Sequence, residues 1–132
     1  MKMSGLLIAV AIIVSSACLS NSNSDNTTSE TNVILDTLES PGESITGLAW
    51  GDGFLWAVDS SLDRIFRIDT TTGEIIDSFK CSTPSSFTAT GLAFSEEHNL
   101  ILLGLWNHSS NAYVYFYSPG GEYIGSVSMC GG

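Results

Sequence analysis

The chain contains nearly the same five residues twice. "TGLAW" at residues 46–50 returns as "TGLAF" at residues 90–94, a shift of 44. Farther along, the pair Gly73-Glu74 returns as Gly121-Glu122, a shift of 48, which a longer loop in the second copy explains. Two matching anchor points in the same order predict a tandem repeat, with one unit at about 44–79 and the other at 87–129.

Each unit reads as four short strands. Runs of β-branched, aromatic and aliphatic residues alternate with Gly, Asp, Asn and Ser, which favour turns between antiparallel neighbours. The strands are predicted at 44–50, 54–59, 64–69 and 74–79 in the first unit, and at 87–95, 99–106, 111–118 and 122–129 in the second.

A four-strand unit of this length is typical of a β-propeller blade. The runs "ILLGLW" and "YVYFY" are almost continuously apolar, so both faces of the sheet require cover, which neighbouring blades supply. A β-sandwich would predict cleaner alternation and no internal repeat. The prediction is an all-β partial β-propeller with two four-stranded antiparallel blades.

One further strand precedes the first unit. "ILDTL" at 34–38 matches "IIDSF" at 75–79 in character, position by position. It therefore predicts one N-terminal outer strand of a blade whose other strands are not present. Propellers have four to eight blades, so residues 33–132 are interpreted as a propeller fragment of an incomplete chain. Several copies closing one ring are the alternative, and the exposed sheet faces predict self-association.

The first 17 residues have the layout of an export signal. Lys2 precedes an apolar run at 5–14 and small residues up to Ala17, and a run of ten is too short to cross a bilayer as a helix. The following "SSAC" resembles the lipobox of prokaryotic lipoproteins, with Ser15 where that motif has leucine. The resemblance implies lipidation of Cys18, with ordinary signal cleavage as the alternative. Residues 18–32 hold few apolar side chains and predict a flexible tether.

Charge limits the range of partners. The chain has 4 Lys and Arg against 14 Asp and Glu, a formal net charge of −10. No basic cluster is present to neutralise phosphates, so nucleic acid is excluded as a partner. The acidic surface favours solubility through self-repulsion. If Cys18 carries lipid, Cys81 and Cys130 remain, either as a disulfide in an oxidising compartment or as two separate thiols.

The stretch "TGLAWGDGFLWAVDSSLDRIFRIDTTTGEIIDSF" resembles a repeat of the exported propellers in the streptogramin-lyase-like, gluconolactonase-like and YVTN-type group. The resemblance covers residues 33–129. It implies blade structure and specifies no reaction, since members of this broad group include enzymes, carriers and proteins without an assigned role.

The signature residues each have a structural interpretation. Trp50 and Trp56 are predicted to pack between blades. Gly73 and Gly121 fit turns that need a positive φ. The strand-ending carboxylates are predicted to bond backbone donors of the following turn, at Asp59 and Asp69.

The candidate contact surface is the longest loop at the predicted channel mouth, where we expect ligands of a propeller to bind. Loops 39–43, 59–63, 80–86 and 106–111 share this end of the blades. The loop "WNHSSN" supplies the ligand-contact candidates Trp106, Asn107, His108 and Ser109.

His108 could act as a general base or a metal ligand. It has no second histidine or acidic cluster nearby in sequence, and His98 belongs to the opposite end of the blade. Asn26 and Asn107 each begin an N-glycosylation triplet. The sequence contains no phosphate-binding glycine loop, zinc spacing, calcium loop or nucleophile elbow, and therefore predicts no catalytic residue, metal or cofactor.

These features favour an exported, lipid-anchored propeller that acts as a binding or interaction scaffold at the cell surface or in the periplasm. Its partner would be a protein or small molecule that the sequence does not identify. The alternative is an exported propeller enzyme, a lyase or hydrolase, whose catalytic residues lie in missing blades. A quinone-cofactor dehydrogenase would rest on the repeated tryptophans alone.

Overall fold

The computed structural model describes residues 7–10 and 36–129. Every regular element in this part of the chain is a β-strand. The strands are β1 (Leu7–Val10), β2 (Asp36–Glu39), β3 (Ile45–Gly51), β4 (Phe54–Asp59), β5 (Arg64–Ile68), β6 (Ile75–Lys80), β7 (Thr88–Ser95), β8 (Leu100–Trp106), β9 (Ala112–Tyr117) and β10 (Tyr123–Ser128).

Eight of these strands form two sheets of the same topology. β3 to β6 form one antiparallel sheet, the first blade, and β7 to β10 form another, the second blade, each with neighbours in chain order. The turns follow the predicted chemistry. Asp52 and Gly53 join β3 to β4 with φ of 52° and 76°, and the turn glycines Gly73 and Gly121 have φ of 76° and 90°, as the sequence predicts.

The two blades stack face to face around one apolar core. From the first blade it contains Trp56, Val58 and Ile65, and from the second Ile101, Leu103 and Leu105. Trp56 is fully buried and stacks on Phe94 of the second blade, with ring centroids 5.9 Å apart. This arrangement confirms the all-β architecture of two stacked four-stranded blades.

Trp50 does not pack between the blades, so that part of the prediction is wrong. Its side chain is 58% exposed. Trp50 lies opposite Leu55, and side chains alternate between the two faces of a strand. Trp50 therefore belongs to the face of the first blade that points away from the second, whereas Trp56 belongs to the shared face.

The short strand β2 covers part of that outward face. Leu38 is buried among Leu55, Ala57, Phe66 and Ile68. Its Cδ2 lies 3.6 Å from the point where a Cβ of Gly73 would stand, and Phe79 contacts Gly121 in the same way one blade later. Leu38 thus holds the place of Phe79, so β2 is the predicted outer strand of a preceding blade.

Strand β1 pairs antiparallel with β2 and places Ile8 opposite Leu38. It lies within the predicted export signal, 1–17. The predicted tether, 18–32, lies outside the described residues. Across residues 7–10 and 36–129, no helix has the length and apolar character needed to cross a membrane.

Candidate functional site

The loop 106–111, between β8 and β9, is organised by one asparagine side chain. Asn107 Oδ1 accepts hydrogen bonds from the Ser109 amide at 3.1 Å, from Ser109 Oγ at 3.0 Å and from the Asn111 amide at 3.1 Å. The Asn107 amide donates in turn to the Asn111 carbonyl at 3.2 Å. Asn107 and Ser109 are therefore committed to building the turn, and their polar atoms face one another.

His108 and Trp106 form the outward part of the same loop. The His108 backbone has a φ of 63°, and its ring centroid lies 4.6 Å from that of Trp106. His108 Nε2 lies 2.9 Å from Thr88 Oγ1 at the start of β7. The structure thus brings the four contact candidates together as two pairs, Asn107 with Ser109 and Trp106 with His108, and adds Thr88, which the sequence did not single out.

An open apolar groove of about 390 Å³ lies beside this loop on the outer face of the second blade. It is lined by Thr90, Gly104, Leu105, Trp106, Ala112, Tyr113, Val114 and Met129. Trp106 and Met129 are 41% and 57% exposed. The groove exists because Gly104 interrupts the run "ILLGLW" and leaves β8 without a side chain at that point. That glycine was the one sequence signal for it.

Asp59 holds the corresponding end of the first blade and is fully buried. Its Oδ1 accepts from the Ser61 amide, from Ser61 Oγ and from the Leu62 amide at 2.7–2.9 Å. Its Oδ2 accepts from the Ser44 amide at 3.1 Å. Burial raises the pKa of a carboxyl, but these hydrogen bonds outweigh it and lower the pKa of Asp59. Asp59 is an ionised anchor for two loops, as the strand-end prediction required.

Asp69 performs the same role with fewer bonds. Its Oδ1 accepts from the Thr71 amide at 2.7 Å and from the Thr72 amide at 3.4 Å, at an exposed turn. Both strand-ending aspartates therefore cap turns as predicted. Among residues 36–129, the structure contains no group of three or more His, Cys, Asp or Glu side chains arranged to hold a metal ion.

Cys81 is buried in the core between the blades and has no disulfide partner within residues 36–129. Burial, together with the charge of Asp63, raises the pKa of the Cys81 thiol to about 12. Nearby, the Tyr117 hydroxyl accepts from the Ser82 amide at 3.1 Å. The suggested partner of Cys81, Cys130, lies outside the described residues, as do the lipidation candidate Cys18 and the glycosylation candidate Asn26. The disulfide, the lipidation and the glycosylation of Asn26 and Asn107 stay predictions.

Comparisons with known proteins support the fold alone. No protein-family model matches the chain, and no curated protein matches it in sequence. Three solved structures are similar. They are hydrazine synthase of Kuenenia stuttgartiensis (TM-score 0.56, 14% identity, 73% of this chain and 26% of that one), a protein of unknown function from Bacteroides caccae (0.52, 13%, 74% and 34%), and the β-propeller domain of Myceliophteria thermophila Cps50 (Swd1) (0.47, 14%, 76% and 30%). The chain spans about a quarter to a third of the length of the structures it matches.

Proposed function

We propose that the chain is an exported, lipid-anchored β-propeller module that acts as a binding scaffold outside the cytoplasm. One observation carries the binding role. At the end of the blades where a ligand would enter, the Asp59 carboxylate and the Asn107 side-chain oxygen accept hydrogen bonds from loop donors, whereas the apolar groove beside Trp106 stays open. Contact with a partner is favoured over acid–base chemistry, because the buried Asp59 carboxylate already accepts four hydrogen bonds from the protein itself.

Membrane anchoring is proposed from the sequence "SSAC" and the polar stretch that follows it. We expect Cys18→Ser to move the protein from the membrane fraction to the soluble fraction, because the variant has no thiol for the lipid. Ser20→Ala is the matched control and stays with the membrane. Immunoblots of separated membrane and soluble fractions provide the measurement. Unchanged fractionation of Cys18→Ser would remove the lipid anchor from the proposal.

The second candidate is an exported propeller enzyme, a lyase or hydrolase, whose catalytic residues lie in blades outside this sequence. The short span of the chain against the structures it matches supports this candidate. Hydrazine synthase, one of those structures, is an enzyme by its name, but at 14% identity the likeness extends to the fold only.

A lactone assay tests the scaffold directly, because turnover by this chain would require a catalytic residue within it. We expect the purified chain to hydrolyse gluconolactone no faster than buffer, and to leave a streptogramin-type lactone intact. His108→Ala is the diagnostic variant because it removes the one exposed imidazole at the groove end of the second blade. Turnover by the wild type that His108→Ala abolishes would contradict the scaffold and support an enzyme.

A further inference from the structure

Each blade has two faces, and in each blade one face is covered by the other blade while the opposite face is more exposed. The trailing face of a blade points toward the next blade along the chain, as the first blade's covered face does. The leading face points toward the preceding blade, as the second blade's covered face does. Strand registers pair Gly47 with Val58 in the first blade and Gly91 with Gly104 in the second. Gly91 is thus the counterpart of Gly47 and Gly104 that of Val58, on a second trailing face.

The trailing face of the first blade fits a neighbouring inner strand closely. A Cβ on Gly47 would lie 2.7 Å from the Leu92 amide nitrogen, so β3 and β7 approach backbone to backbone. Thr46 Oγ1 donates across the same gap to the Ala89 carbonyl at 2.8 Å. The interface between the blades therefore requires glycine and threonine at these two positions.

The second blade repeats both residues without a neighbour. A Cβ on Gly91 would meet nothing within 4 Å. Thr90 donates to the Gly104 carbonyl of its own blade at 3.3 Å instead of across an interface. The groove over Gly104 and the exposed Val127 and Met129 lie on this same face. The second trailing face has the elements of the first, and no other part of residues 7–10 and 36–129 covers Gly91.

The chain also carries the complementary surface. On the second blade, Leu92 and Phe94 fill the internal interface. Their counterparts on the leading face of the first blade, 44 residues earlier, are Leu48 and Trp50, which are 44% and 58% exposed. One molecule thus exposes a trailing face on its second blade and, on its first blade, a leading face of the kind that packs against a trailing face.

We propose that a second copy of this chain docks the leading face of its first blade on the trailing face of the second blade, repeating the internal interface. In the docked pair, Thr90 turns to the Ile45 carbonyl of the other copy, Leu48 of that copy covers Gly91, and Trp50 packs beside Ser95. Such an interface is head-to-tail, so it closes into a ring or continues as a filament. Rings of two, three or four copies would contain four, six or eight blades, the range found in propellers.

Two features of the monomer hold this association in check. Leu38 of β2 covers Gly73. In the docked pair, Val127 of the other copy, the counterpart of Phe79, would pack at that position. Docking therefore requires β10 of the other copy to displace β2. Ser95 stands where the first blade has Gly51, whose missing Cβ makes room for the Phe94 ring. Removing the Ser95 side chain therefore makes room for the Trp50 ring of the other copy.

Sedimentation velocity of the full chain tests the proposal over about a hundredfold range of concentration, in about 0.5 M salt to screen the net charge. We expect wild type to form discrete multiples of the monomer mass. Gly91→Val should weaken association at least about tenfold, because the added Cβ fits the monomer and collides with the docked backbone. Ser95→Gly should strengthen it.

Gly120→Val is the matched control, because Gly120 lies in the turn between β9 and β10, where an added Cβ would meet only the Ser118 side chain of the same turn within 4 Å. It should assemble as wild type does. A wild type that stays monomeric throughout would overturn the proposal. Assembly of Gly91→Val to the same extent as wild type would also overturn the proposal. That result would indicate association through the apolar N-terminal run, which does not involve Gly91.

Discussion

Asp59→Ala is expected to lower the free energy of unfolding by about 2–4 kcal/mol. Asp59 is fully buried, and its carboxylate accepts from three backbone amides and one hydroxyl. Alanine leaves those part-buried donors without their acceptor, and each donor that water reaches poorly is costly. Urea denaturation followed by tryptophan fluorescence measures the loss.

Asp69→Ala is the matched control. Asp69 also ends a strand and caps the next turn, but its bonds are fewer and exposed to solvent. Water replaces the lost acceptor there, so we expect a loss of about 1 kcal/mol or less. Equal losses for the two variants would contradict the assignment of Asp59 as a buried structural anchor.

The free energy of unfolding should also depend on pH through Asp59. The folded-state pKa of Asp59 is lowered, so its contribution to stability is present above the ordinary carboxyl pKa of about 4 and is lost as pH falls through the lowered value. Asp59→Asn lacks this contribution. We expect the free energy of unfolding of wild type to fall more steeply than that of Asp59→Asn below about pH 4, measured by urea titrations across that range. Identical slopes would contradict the lowered pKa.

Much of the fold could be predicted because the same strand and turn pattern occurs in both repeat units. The order of strands, the turn glycines Gly73 and Gly121, and the match of 34–38 to 75–79 all depend on local patterns that the chain states more than once. The structure agrees with each of them. Strand ends shifted by one residue or so, because pairing with a neighbour decides where a strand stops.

The features that sequence reasoning missed depend on neighbours in space. Trp50 and Trp56 are the same residue type in neighbouring apolar strands, yet the register of β3 against β4 places them on opposite faces. Only one of these faces is covered by a blade. Asn107 could be identified as a loop residue, but its commitment to Ser109 and Asn111 follows from the conformation of the turn. The groove was missed because its one sequence signal, Gly104 within an apolar run, does not show by itself which face of the strand is left uncovered.

The two repeated glycines provide the most direct test that the blades are copies of one module stacked face to face. Gly47 and Gly91 occupy the same position of the repeat, but a Cβ on Gly47 would strike the backbone of Leu92 and Gly91, whereas one on Gly91 would meet open space. Backbone on both sides cannot yield, so Gly47→Val must separate the blades and disturb the core around Trp56.

The measurement is the urea midpoint of Gly47→Val and Gly91→Val, each at a concentration low enough to keep the chain monomeric. We expect Gly47→Val to lose about 3 kcal/mol or more, with collapse of the near-ultraviolet signal of the buried tryptophan. Gly91→Val should stay within about 0.5 kcal/mol of wild type. Equal stability of the two variants would contradict the stacked repeat.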